Sequence, residues 1–197
     1  MTVTQAAESR KSVRKYTDEA IPQAKIEEIL RVAGLAPSPW NLQPWRVTVV
    51  TDPDLKAKVA EAAYNQPQVS GAQAVLVIHS DMKDVLDKVE DTVHPGMGDR
   101  KEAEAANMRK TFGNMGDEAS ETWGNAISYI FLGFLLLAIE EAGYGSSPML
   151  GFDPAKMKDV LDLPEHVRMP AIVAIGKKAE EGFPHHRHPL DRFVDWR

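Results

Sequence analysis

Apolar positions along this chain switch repeatedly between a helical period and short continuous runs. In "IPQAKIEEILRVAG", Ile26, Ile29, Leu30 and Ala33 recur at spacings that share one helix face. That predicts a helix starting near Pro22 and capped by Gly34. "WRVTVV" follows and, being rich in β-branched residues, predicts a strand. Asp52 and Pro53 have the chemistry of an N-cap and a first helical residue for "DLKAKVAEAAY". "AVLVIHS" is a short apolar strand between polar residues. Residues 82–118 are charged and rich in Ala, Met, Lys and Glu, and read as helix with an exposed side. "YGSSPMLG" is a strand and loop, Asp153 and Pro154 open a helix over "AKMKDVL", and "MPAIVAIG" is the last strand. The tail, "HHRHPLDRFVDWR", has no period. Few strands among many helices, without repeats or linkers, predict one α/β or α+β domain over residues 1–197.

One segment breaks the amphipathic pattern. The run from Ile127 to Ile139 is apolar all round and is closed by Glu140 and Glu141. It is shorter than the roughly 20 residues that a bilayer requires. A helix of this kind is buried on every side. In a small domain it is either a central core helix or a helix covered on one face by a second subunit.

Composition narrows the function. A formal charge of −6 leaves no basic excess to neutralise a phosphate backbone, which argues against a general nucleic-acid binder. The chain has no cysteine, so disulfides and thiolate chemistry are excluded. The first residues lack the apolar stretch of a signal peptide, and no membrane partner is indicated, so a cytoplasmic protein is expected.

Two stretches carry candidate chemistry. If "ESRKSVRKY" is extended, Arg10, Ser12 and Arg14 project to one side and Lys11, Val13 and Lys15 to the other. The first row then spans about 13 Å, comparable with the reach from a mononucleotide's phosphate to its ring. A guanidinium binds two phosphate oxygens at once. Neither glycine-rich phosphate cradle is present, so side-chain cations such as Arg10 and Arg187 would have to hold any phosphate. A solvated basic patch is the competing reading. In "APSPWNLQPW", prolines stiffen a loop that offers the carboxamides Asn41 and Gln43. Trp40 and Trp45 either pack that loop down or wall a pocket. His185, His186 and His188 raise the possibility of a metal, but no carboxylate or thiolate sits near them at a familiar ligand spacing.

"RKSVRKY", "APSPWNLQPW", "AAYNQPQV", "SPMLGFD" and "HHRHPLDRFV" together resemble, in this order, the flavin-dependent nitroreductase family. The resemblance covers essentially the whole chain. It implies an α+β fold with a central mixed β-sheet surrounded by helices, a domain-sharing homodimer and bound FMN. It further implies reduction of nitroaromatics or quinones by NADH or NADPH, with hydride passing through flavin N5 in a ping-pong sequence. Arg10, Ser12 and Arg187 resemble the phosphate and ribityl contacts, with Lys11 beside them. Arg14 resembles the cation near flavin N1 and the C2 carbonyl. Pro37, Ser38, Pro39 and Asn41 resemble a loop reaching the flavin from the other subunit. Asn65, with Gln66 and Gln68 nearby, resembles the carboxamide at the pyrimidine edge. Pro148, Met149, Leu150 and Gly151 resemble the backbone packed by the ring, although some members carry an acidic residue where this chain has Leu150. Phe112, on a helix face shared with Met108 and Met115, is expected to form a lid over the pocket. No side chain is expected to act as a catalyst in its own right. A flavin-binding sensor or store, a reductive dehalogenase and a flavin-fragmenting enzyme stay open as alternatives.

Overall fold

The computed structural model describes residues 1–197. Four strands form the central sheet: β1 (Trp45–Val50), β2 (Ala74–Ser80), β3 (Gly145–Met149) and β4 (Arg168–Gly176), in the order β1-β2-β4-β3. All three pairings are antiparallel. The mixed character expected of the sheet is confined to one isolated parallel bridge, Ser12 to Ser146, at the β3 edge. Residues 10–17 touch that edge over too few positions to make a fifth strand.

Both faces of the sheet are covered, so its central strands are apolar on both sides, and β2 is buried at every position. On one face Leu76, Ile78, Val173 and Ile175 meet Ile26, Ile29 and Ala33 of α2 (Gln23–Ala33) and Phe131, Leu135 and Ile139 of α7 (Asp117–Glu141). On the other, Val75, Val77, Ile172 and Ala174 meet Val59 and Ala62 of α3 (Pro53–Ala62), Val69 of α4 (Pro67–Ser70) and Met157 of α8 (Pro154–Leu161). The two predicted N-caps form: Asp52 accepts from Leu55 N at 2.8 Å, and Asp153 accepts from Ala155 N at 3.1 Å. A third cluster joins α5 (Met82–Asp87) and α6 (Lys101–Met115) to Leu42 through Val85, Val89, Met108 and Phe112.

Helix α7 is longer than its apolar run. Its 25 residues meet the length and hydropathy expected of a membrane span, but one side of it packs on the sheet. The opposite side is bare within one chain, where Tyr129, Ile130 and Phe134 are 44%, 38% and 41% exposed. The helix is therefore covered on one face only, and a contiguous apolar stripe remains for something else to cover.

Candidate functional site

The basic stretch follows α1 (Val3–Ser9), whose start is fixed by a capping box between Thr2 and Gln5. Arg10 caps the helix end in an extended conformation, and the chain then runs beside β3. Val13 N donates to Ser146 O at 3.0 Å, and Val13 itself is buried. Tyr16 anchors the stretch, its hydroxyl donating to Val13 O at 2.7 Å with Ala174 O also within reach at 3.1 Å.

Arg10, Lys11, Ser12 and Arg14, together with Phe183, His185 and Arg187, line a half-open cavity of about 180 Å³. Sequence alternation placed Lys11 on the opposite side from Arg10; the structure brings both to one cavity, because the pairing to β3 is too brief to impose a strand's alternation. Arg10 Nη1 is buried without a hydrogen-bond partner. Burial lowers the Arg10 pKa, and the positive charge of Arg187 lowers it further, against the opposing effect of Glu140. Arg187 Nη1 donates only to the neighbouring His186 carbonyl, at 3.0 Å. Arg14 lies with its guanidinium 5.8 Å from the Phe183 ring centroid. Nearby, Glu140 is 4% exposed and pairs with Lys178 at 2.6 Å, while its second oxygen and the Ser146 hydroxyl have no partner. Two guanidiniums sharing one cavity, one with an unmet buried donor, suit an anion with several oxygens.

The carboxamides form a second group at the other end of β3. Ser146 to Met149 is three residues, about 10 Å of strand. Tyr64 and Asn65 follow α3 in left-handed conformations, with φ of 57° and 54°. Gln66 Nε2 donates to Gly151 O at 2.6 Å, and Gln68 Nε2 lies 3.0 Å from Gln66 Oε1 and 3.1 Å from Met149 Sδ. A Cβ at Gly151 would sit 3.2 Å from Gln66 Nε2, tighter than ordinary contact. Asn65, Leu150 and Gly151 are exposed, with Pro148 half-buried and Met149 buried beside them. The β3 edge thus carries cations at one end and carboxamides at the other.

The third predicted group is not brought to this edge within one chain. Pro37, Ser38, Pro39 and Asn41 lie just before β1, at the opposite edge of the sheet. Three strand spacings, about 14 Å, separate the two edges. The loop is nevertheless rigid. Ser38 Oγ accepts from Gln43 N at 2.9 Å, Asn41 Nδ2 donates to Thr92 O at 3.0 Å, and Gln43 Nε2 donates to Asn41 Oδ1 at 3.0 Å. Trp40, Asn41 and Gln43 all have positive φ, a conformation that costs energy unless its surroundings hold it.

Phe112, expected over the pocket as a lid, is turned inward in this structure. It is 1% exposed and lies edge-on between Trp40 at 5.9 Å and Trp123 at 5.0 Å. Burial between two tryptophans makes it the anchor that docks α6, and Met115 rather than Phe112 is the exposed member of that face. Of the three tail histidines, His185 alone lines this cavity, beside Arg187. A grouping with metal-ligand spacing lies elsewhere, at Asp81, Glu121 and His166, and the sequence reading missed it. Its oxygens are already engaged: Glu121 accepts from Met82 N at 2.5 Å and Ser80 Oγ at 3.0 Å, and Asp81 Oδ1 lies 2.9 Å from His166 Nε2. That knot ties the start of α5 to the loop before β4. Missed as well were Gly182, Phe183, Glu140 and Lys178, which give no signal in a tail without periodicity or in an isolated Glu–Glu pair.

The sheet, covered by helices on both faces, carries cations and carboxamides along one edge. The nitroreductase family matches residues 7–177, and the chain belongs to that family. It is 48% identical over 193 residues to a Thermus thermophilus protein named NADH dehydrogenase, covering 98% of this chain and 94% of that one. It is 32% identical to YdgI of Bacillus subtilis, which carries an NAD(P)H nitroreductase name, over 95% of this chain and 94% of that protein. Among solved structures, a nitroreductase-like protein of Streptococcus mutans superposes with a TM-score of 0.88 at 30% identity, covering 98% of this chain and 97% of that one. A protein of Exiguobacterium sibiricum solved in complex with FMN superposes with a TM-score of 0.90 at 25% identity, covering 100% and 98%.

Proposed function

We propose that this protein is an FMN-dependent oxidoreductase that uses NADH or NADPH to reduce small nitroaromatic or quinone acceptors. One observation carries the reading: Arg10 and Arg187 face one cavity, with a buried Arg10 donor unmet, at the end of an edge whose far end presents carboxamides. The names and the FMN complex among its relatives support the same cofactor and reductant. When bound, FMN would supply two-electron hydride chemistry at N5, between the nicotinamide reductant and the acceptor.

The chain's own residues bind and orient. Arg10, Lys11, Ser12 and Arg187 hold the phosphate and ribityl chain, and Arg14 supplies positive charge toward the ring's N1 side. Asn65, Gln68 and the Gln66–Gly151 clamp would serve the pyrimidine edge, and the backbone of Pro148, Met149, Leu150 and Gly151 would pack by the ring. The Leu150 side chain is 67% exposed and apolar, so any hydrogen bond toward the ring at that position falls to its backbone N–H. No side chain need exchange a proton with the acceptor. Reductant and acceptor share one face in turn, which makes the kinetics ping-pong.

A homodimer completes the site in this reading. The loop at Pro37, Ser38, Pro39 and Asn41 is rigid yet lies at the wrong edge of its own sheet, so it serves the partner's flavin. The bare stripe at Tyr129, Ile130 and Phe134 is the surface on which the subunits meet. Interfaces of permanent dimers bury more than about 2,000 Å². The reading places the protein in the cytoplasm, where nicotinamide reductants are supplied. Flavin analysis and light scattering test it together: the expected result is one FMN per chain on a dimer that does not dissociate on dilution. A folded monomer that retains FMN would contradict the shared site.

A further inference from the structure

Residues 177–187 turn back along residues 10–17 instead of continuing the sheet. Thr17 N donates to Lys177 O at 2.9 Å, Ala179 N to Lys15 O at 3.0 Å, and Arg14 N to Glu180 Oε1 at 3.1 Å. Gly182 then crosses directly over the basic stretch. A Cβ there would come 2.7 Å from both Lys11 Cβ and Ser12 O, so a side chain would push the two segments apart. The pairing ends at His185, whose Nε2 lies 2.7 Å from the Arg10 carbonyl oxygen. That carbonyl belongs to the end of α1, where helix oxygens lack intrahelical partners. Two residues later comes Arg187, whose side chain makes no bond to the opposite wall of the cavity.

Like charges make this arrangement costly before an anion arrives, because Arg187 and Arg10 repel across the cavity they share. Something must hold Arg187 there. We propose that His185 is a positioning residue for the anion: its ring N–H, donated to the Arg10 carbonyl, latches the C-terminal segment so that Arg187 faces Arg10 before the cofactor binds. The inference rests on the flavin reading above. It assigns His185 no contact with phosphate. Its effect is to lower the ordering cost of the one cation that comes from the tail.

A comparison of FMN with riboflavin, which lacks the phosphate, isolates this role. Affinities of both ligands for flavin-free wild type, His185→Ala and His185→Gln are read by quenching of flavin fluorescence, with thermal melts of each protein. Glutamine keeps an N–H donor near the position of the ring Nε2. His185→Ala should weaken FMN about tenfold, equivalent to about 1.4 kcal/mol, and leave riboflavin unchanged. His185→Gln should recover most of the loss. If His185→Ala keeps the wild-type preference for FMN, or weakens both ligands equally, the latch is wrong while a wild-type preference for FMN leaves the flavin reading intact. If wild type itself does not distinguish FMN from riboflavin, the phosphate assignment falls and the latch with it.

Discussion

Replacing Phe112 by alanine separates an anchor from a lid. The ring is 1% exposed, with Trp40 and Trp123 at 5.9 and 5.0 Å and Met108, Val89 and Leu42 in the same cluster. Deleting a fully buried phenylalanine costs about 3–5 kcal/mol, from lost transfer energy and the cavity left behind. Each edge-on aromatic pair accounts for roughly 0.5–1.5 kcal/mol beyond burial. At about 2–4 °C per kcal/mol for a domain of this size, the melting temperature should fall by roughly 6–20 °C. Phe112→Leu should cost less, since it refills most of the space. Circular dichroism melts of the three proteins, with tryptophan emission as a second probe, measure this. Trp40 belongs to the rigid loop before β1, so its emission should shift red as its edge partner disappears. A ring poised over a pocket would leave stability almost unaltered and change KM for nitroaromatics instead. A Phe112→Ala protein melting within about 1 °C of wild type would refute the anchoring argument.

Other substitutions probe the charges. Arg14→Ala should lower the bound flavin's midpoint potential by roughly 30–60 mV, because reduction places negative charge near N1 and a charged hydrogen bond is worth about 1.5–3 kcal/mol; a spectroelectrochemical midpoint equal to wild type would remove Arg14 from the ring. Glu140→Ala should destabilise the fold by about 2–3 kcal/mol in urea titrations, since Lys178 loses a carboxylate at 2.6 Å; an unchanged midpoint would show that pair to be dispensable. His79 is buried, and desolvation lowers its pKa below the ordinary 6.5. The unfolded chain therefore binds the proton more readily, and stability present above pH 6.5 is lost as pH falls toward the folded value. His79→Gln should remove that component, at most about 1.4 kcal/mol per pH unit; identical wild-type and variant slopes between pH 7 and pH 5 in urea titrations, about two units apart, would contradict it.

Much of the fold is written locally. The β-branched run at Trp45–Val50, the apolar runs of β2 and β4, and the Asp52 and Asp153 caps each declare themselves within a few residues. The candidate site is legible only in part. Arg10, Ser12, Arg14 and Arg187 belong to motifs, but the path that unites them depends on pairings between residues far apart in sequence, such as Arg10 with His185. Gly182 carries no signal until the backbone beneath it is known. Met108, Phe112 and Met115 share a helix face, yet periodicity cannot tell which of them meets two tryptophans and which meets solvent. For the same reason an apolar run such as Ile127–Ile139 cannot show which of its sides packs on the sheet.

The claim that flavin held on the β3 edge passes hydride from nicotinamide to an acceptor is tested most directly by an anaerobic spectral titration of the purified protein. The reading predicts a yellow protein whose flavin bands bleach on adding NADH or NADPH and return fully on adding a quinone or nitroaromatic. Bands that persist with both reductants, or that bleach and fail to return with any such acceptor, would contradict it.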